Sequence, residues 1–202
     1  MMVLGINVIE SETPPDLVTV TQDDGFFINT RFASDFRIRK AVYDRLKAAR
    51  AALPAGYAFM VFEAFRPRSR QFELWNDVCA RLRAEHPDID GDALTELASH
   101  WVSNPHGFGS GHQAAAAVDI TLCTVAGEEL DMGTAVQEFN GRTLTAANDI
   151  PPDVKGRRLL LKNTLEGQGI VNYPDEWWHF SFGDRLWAEV TGCTSAFYAP
   201  ID

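Results

Sequence analysis

Apolar residues recur along this chain in two rhythms, one helical and one extended. Ile38, Val42, Leu46 and Ala49 fall on one helical face, so residues 35–53 are predicted to form a helix with Asp35 as N-cap and Pro54 and Gly56 at its end. Residues 57–64 are dense in aromatic and β-branched side chains and predict a buried strand. Pro67 breaks it. A second helix is predicted over 69–85, with Phe72, Trp75, Val78, Cys79 and Leu82 as its stripe and Pro87 as its stop. Asp92 is the predicted cap of a third helix reaching about residue 102.

The second half changes character. Residues 103–111 hold three glycines and a proline and predict a loop. A strand is predicted over 116–122, a turn at Gly127, and a long polar loop over 134–153, a length often used for a lid. A fourth helix, 153–166, presents Val154, Leu159, Leu161 and Leu165, and ends at Gly167 or Gly169. Residues 170–172 and 176–182 predict the last strands. Near the N-terminus, a possible first strand within 1–10 precedes a loop at 11–16 and a short strand at 17–20. Helices come early and strands late, without the βαβα alternation of a doubly wound fold. The expectation is one α+β domain over 1–202, an antiparallel sheet flanked by helices.

Composition narrows the function classes. Hydrophobic content is 46% and charged content 23%, ordinary for a globular chain. The formal charge of −10 lacks the basic stripe that a nucleic-acid surface requires. Cys79, Cys123 and Cys193 are odd in number and form no CxxC spacing, so neither a disulfide framework nor a cysteine metal site is expected. No leader and no membrane span is read, and a cytoplasmic location follows as the expectation.

Two segments carry the candidate chemistry. His112 stands at the end of the glycine loop, and Asp119 interrupts an apolar strand. A buried carboxylate needs a cationic partner or a metal. Downstream, Glu176 and His179 lie three apart. His112, Asp119 and His179 form a two-histidine, one-carboxylate set, which leaves a fourth tetrahedral position open on one Zn2+ per chain; the same ligand types suit other divalent ions. Glu176 is then a spare acid, placed for general acid–base work. On a regular strand, positions three apart face opposite sides. Glu176 and His179 can therefore share a site only if a bulge lies between them or Glu176 belongs to the turn after Pro174. Arg66, at the exit of a buried strand with Glu63 close enough to hold it, is a candidate for stabilising an oxyanion or binding a carboxylate. No nucleophile elbow, Walker A loop, GxGxxG or HExxH pattern occurs.

In these motifs the chain resembles the zinc D-alanyl-D-alanine dipeptidases of the D,D-peptidase and hedgehog-like fold group. The family pattern SxHxxGxAxD is matched by Ser110, His112, Ala117 and Asp119, and the later ExWH by Glu176, Trp178 and His179. Phe65-Arg66-Pro67 is similar to the family's Tyr-Arg-Pro, and Met132-Gly133 to its Met-Gly turn. The resemblance covers about residues 60–182. It implies zinc at His112, Asp119 and His179, acid–base catalysis by Glu176, assistance from Arg66 and substrate contacts at Ser110. Three positions depart from the pattern. Ala115 replaces the glycine, Gly111 replaces a second serine, and Gln137 stands where an acid would meet a dipeptide's ammonium, with Glu138 beside it.

The function expected is zinc-dependent hydrolysis of a small dipeptide of the D-Ala-D-Ala kind. The alternatives are a relative acting on a different small amide, a D,D-carboxypeptidase of cell-wall peptides, or a hedgehog-like domain that holds zinc without turnover. An intact Glu176 argues against the last, because metal binding alone does not require it.

Overall fold

The computed structural model describes residues 6–9, 14–138 and 140–201. In chain order the elements are β1 (Asn7–Val8), β2 (Leu17–Thr19), β3 (Phe27–Ile28), β4 (Arg37–Arg39), α1 (Lys40–Ala52), β5 (Tyr57–Glu63), α2 (Arg68–Glu85) and α3 (Gly91–Ser99). There follow β6 (Ala117–Thr124), α4 (Pro152–Glu166), β7 (Val171–Asn172), β8 (His179–Ser181), α5 (Arg185–Thr191) and β9 (Ser195–Ala196). Most of the expected first strand and half of the loop at 11–16 lie outside the described residues; Asn7–Val8 pairs parallel with β9.

The central sheet has five strands in the order β3-β5-β6-β8-β7. It is antiparallel except at one edge, where β3 runs parallel to β5. A second small sheet pairs β2 with β4. The architecture is α+β, as the order of elements implied. The main core gathers Phe59, Val61, Val118, Ile120 and Leu122 from the middle strands with Val42 and Leu46 of α1 and Leu161 and Leu165 of α4. Trp75, Cys79, Leu82, Leu94 and Ala98 form a separate cluster between α2 and α3.

Several boundaries differ from the sequence expectation, each for a local reason. The first long helix begins at Lys40, because residues 37–39 are held extended against β2. Asp35 does accept a backbone bond, but from Arg37 N at 3.1 Å, which fixes a turn ahead of the strand instead of a helix start. Asp90, not Asp92, caps α3, accepting from Ala93 N at 2.7 Å. In α4 the inward stripe is Val154, Arg158, Leu161 and Leu165, while Leu159 is exposed. A charged residue occupies the inward position that pattern reading gave to its apolar neighbour. The strand expected over 176–182 is confined to His179–Ser181, and α5 fills a segment for which no helix was expected.

Candidate metal centre

Three neighbouring strands bring one row of polar side chains together. In the sheet register Glu63 of β5 lies opposite Asp119 of β6, and Asp119 lies opposite His179 of β8. Val61 pairs with Ile120, so β5 carries one extra residue before Glu63. Without that irregularity the next pair would be Phe62 with Asp119, and Glu63 would face away. The bulge turns Glu63 toward the carboxylate row.

His112 reaches the same point from the loop before β6. The chain there makes a tight turn in which Ala114 N donates to Ser110 O, and Ala115 N donates to His112 O. Ala115 closes the turn at φ +52°, the left-handed conformation that a glycine takes without cost. The fully buried Arg39 braces this turn: its Nε donates to Ala114 O at 3.0 Å and its backbone N to Ala115 O at 2.8 Å. Four successive alanines, 114–117, are buried here.

His112 Nε2, Asp119 Oδ1 and His179 Nδ1 form a small triangle. The edges are 3.2 Å from His112 to Asp119, 3.2 Å between the imidazoles and 3.0 Å from His179 to Asp119. Ligands bonded to a tetrahedral zinc at roughly 2.0–2.1 Å stand about 3.3 Å apart, so the triangle fits such an ion. The donor chemistry points the same way. His112 Nδ1 lies 2.8 Å from Ala64 O and must donate to that carbonyl. In the neutral ring Nε2 is then an acceptor, facing a carboxylate oxygen that is also an acceptor. Two lone pairs at this separation need a cation between them. Burial disfavours the ionised form of Asp119; without an ion, only positive charge on the two imidazoles offsets this, and it would hold the Asp119 pKa far below the ordinary carboxylate range.

Glu176 lies at the rim, its side chain 22% exposed, with Oε2 4.0 Å from His179 Nδ1. It belongs to the turn after Pro174, not to the strand: Glu176 N donates to Tyr173 O and His179 N donates to Glu176 O. That turn lets residues three apart approach one point. Burial, with the Asp119 charge adding to it, raises the Glu176 pKa above its usual value despite the neighbouring imidazoles and Arg66. Trp177 and Trp178 are buried behind it with their rings edge to face.

Arg66 is clamped. Its Nε and Nη2 donate to the two oxygens of Glu63 at 2.7 and 2.6 Å, and Nη1 donates to Gln71 Oε1 at 3.0 Å. Ser110 Oγ donates to the same Gln71 oxygen at 3.3 Å, so Arg66 and Ser110 are neighbours through a shared acceptor. Gln71 is fully buried, and its Nε2 donates to Ser103 O at 2.6 Å. Sequence reading passed over Gln71. The available signal was a polar residue one turn before Trp75 on the buried face of α2.

The structure turns Gln137 inward, with Nε2 donating to Glu63 Oε2 at 2.7 Å and to Asp119 Oδ2 at 2.9 Å. Glu138 points outward, accepting from Ala135 N at 2.8 Å. Asp184 was also missed. It is buried, accepts from Ser181 Oγ and Trp187 N, and packs its second oxygen against Gly111.

Comparison with known proteins identifies the family of the chain. The profile of the D-ala-D-ala dipeptidase family matches residues 36–196. A D-alanyl-D-alanine dipeptidase of Synechocystis is 30% identical, over 77% of this chain and 72% of that protein. The enzyme of the same name from Escherichia coli is 28% identical, over 70% of this chain and 64% of that one. Among solved structures, a vancomycin-resistance D,D-pentapeptidase VanY in complex with Zn(II) superposes with a TM-score of 0.52 at 18% identity, covering 95% of this chain and 96% of that one, a likeness of fold.

Proposed function

The chain belongs to the D-Ala-D-Ala dipeptidase family, and from that premise we propose that it is a zinc peptidase hydrolysing D-Ala-D-Ala or a closely similar small dipeptide. The observation that carries this reading is the 3.0–3.2 Å triangle of His112, Asp119 and His179 with Glu176 beside it. In this reading those three residues hold one Zn2+ per chain. When bound, the ion supplies Lewis acidity toward the scissile carbonyl and makes water a better acid.

The remaining work falls to the chain's own groups. The Glu176 carboxylate takes a proton from the attacking water and passes it to the departing amine, a role suited to a carboxyl whose pKa burial has raised. Arg66 offers guanidinium N–H groups beside Ser110, and its clamp by Glu63 and Gln71 fixes their direction without reorganisation during the reaction. Ser110 contributes a hydroxyl to the same side of the site. We also assign the protein to the cytoplasm. Cys79, Cys123 and Cys193 are free thiols, the state that a reducing compartment maintains; no described helix is long and apolar enough to cross a membrane. Cell fractionation tests the location.

The test of function pairs a metal measurement with a rate. Glu176→Ala is expected to keep one zinc per chain by elemental analysis and to lose about 10²–10⁴-fold in release of D-alanine from D-Ala-D-Ala. Retained turnover in that variant would remove Glu176 from the mechanism. No hydrolysis by the zinc-loaded parent across D,D-, L,D- and L,L-dipeptides would favour a binding domain. Equal hydrolysis of N-acetyl-D-Ala-D-Ala would favour a carboxypeptidase or another amide substrate over a strict dipeptidase.

A further inference from the structure

We propose that Gln137 is a positioning residue of the metal centre, whose side-chain amide bridges Asp119 and Glu63 and thereby restricts Asp119 to binding the ion through one oxygen. The proposal rests on the reading of His112, Asp119 and His179 as the metal ligands. Nε2 of Gln137 has two N–H groups, and two carboxylates take them, Glu63 Oε2 at 2.7 Å and Asp119 Oδ2 at 2.9 Å. The carbonyl end of the amide could not stand there, since it would set a third acceptor against two anions. The orientation is therefore dictated by charge.

The consequence lies in how the two oxygens of Asp119 are divided. Oδ1 faces His112 Nε2 and His179 Nδ1, while Oδ2 is held by the amide. A carboxylate free to swing could present both oxygens to a cation and fill the position that water needs. The amide also separates Asp119 from Glu63, which sit opposite each other on adjacent strands. Glu63 Oε2 receives Arg66 Nη2 as well, so one amide ties the metal ligand to the arginine clamp.

The loop is built to deliver this group. Gln137 sits at φ +60°, a conformation that a non-glycine residue adopts at a cost. The segment is fastened from beneath by the buried Arg158, whose Nε donates to Met132 O and whose Nη1 donates to Arg142 O and Leu144 O. Thr134 lies in the same segment and accepts from Trp177 Nε1 at 2.8 Å, a bond separate from the amide bridge.

The test uses the full chain and needs no substrate. Zinc affinity is measured by chelator competition for the parent, Gln137→Met, Gln137→Gly and Thr134→Val, together with the visible absorption of each protein loaded with Co2+. Methionine keeps the length and removes the donor; glycine removes the donor and accepts the positive φ. Both Gln137 variants are expected to bind zinc about 10–100-fold more weakly, and their cobalt spectra to lose intensity as coordination departs from tetrahedral. Thr134→Val should match the parent. Parent-like affinity and spectrum in the Gln137 variants would overturn the proposal. An equal loss in Thr134→Val would also overturn it, by assigning the effect to the loop as a whole. A parent that takes up no zinc would refute the metal site itself, whereas a parent that binds zinc but cleaves no dipeptide would leave this inference standing.

Discussion

At the scale of single residues, space around His112 is set by Gly111. A Cβ there would stand 2.2 Å from Asp184 Oδ2 and 2.9 Å from the Ala117 Cβ. Asp184 cannot yield easily, since its other oxygen is bonded to Ser181 Oγ and Trp187 N. Gly111→Ala is therefore expected to lower stability by about 1–3 kcal/mol, the range for overpacking a core, and to reduce zinc uptake by displacing the next residue. Denaturant titration and metal content check both, and a parent-like variant would show that the Asp184 side chain moves at little cost. The family-like serine at this position is excluded here by the same contact. The side chains that the structure gathers were legible where a polar residue broke an apolar run, as Asp119 does, or stood in a compact motif, as Glu176 and His179 do. Gln71, Asp184 and Arg158 were not. Gln71 and Arg158 bond to backbone carbonyls remote in sequence, which nothing local announces, whereas Asp184 is a local cap of α5, a signal that went unread because no helix was expected there.

At the scale of elements, the long segment between β6 and α4 owes its form to one helix side chain. Arg158 is 1% exposed, bonds to no carboxylate among the described residues, and directs Nε and Nη1 to three backbone carbonyls of that segment, while its Nη2 is buried without a hydrogen-bond partner. Burial, with Arg142 adding to it, lowers its pKa to about 10. Arg158→Met keeps the length and leaves Met132 O, Arg142 O and Leu144 O without this donor. At about 1–3 kcal/mol for a buried acceptor left unpaired, it should lower the melting temperature and speed hydrogen exchange over 132–144. Unchanged exchange there would show that the segment holds itself. The helices and middle strands were legible because their periodicities are long. Their ends were not, because Asp35, Asp90 and Asp92 are equivalent as sequence signals, and only pairing with β2 or the start of α3 decides which one acts. Among its described residues the 134–153 segment forms neither strand nor regular helix before Pro152; its backbone carbonyls accept from Arg158 and Lys155 of α4, and its Gln137 side chain reaches Glu63 and Asp119.

At the scale of the whole molecule, the three candidate ligands come from a loop and two strands of the central sheet. Binding of an ion there is thus coupled to the folded state. At a free zinc concentration a thousand times the dissociation constant, linkage adds about 4 kcal/mol. At roughly 2–4 °C per kcal/mol for a chain of this size, removal of the ion should lower the melting temperature by about 10 °C. Calorimetry with and without a chelator measures this, and coincident transitions would place the ion outside the folded core. The α+β class was legible from the order of elements, whereas the parallel edge at β3 was not, since a two-residue strand leaves no pattern.

The row from Glu63 through Asp119 to His179 also has a bearing on how the chain is made. Its members leave the ribosome in the order β5, β6, β8, and Glu176 emerges only just before the last of them. Domain folding during synthesis waits for such distant partners. A growing polypeptide therefore displays its arginine and first imidazole long before it can attack any amide, and hydrolytic competence arrives as a late event, when the β8 strand slides in beside β6.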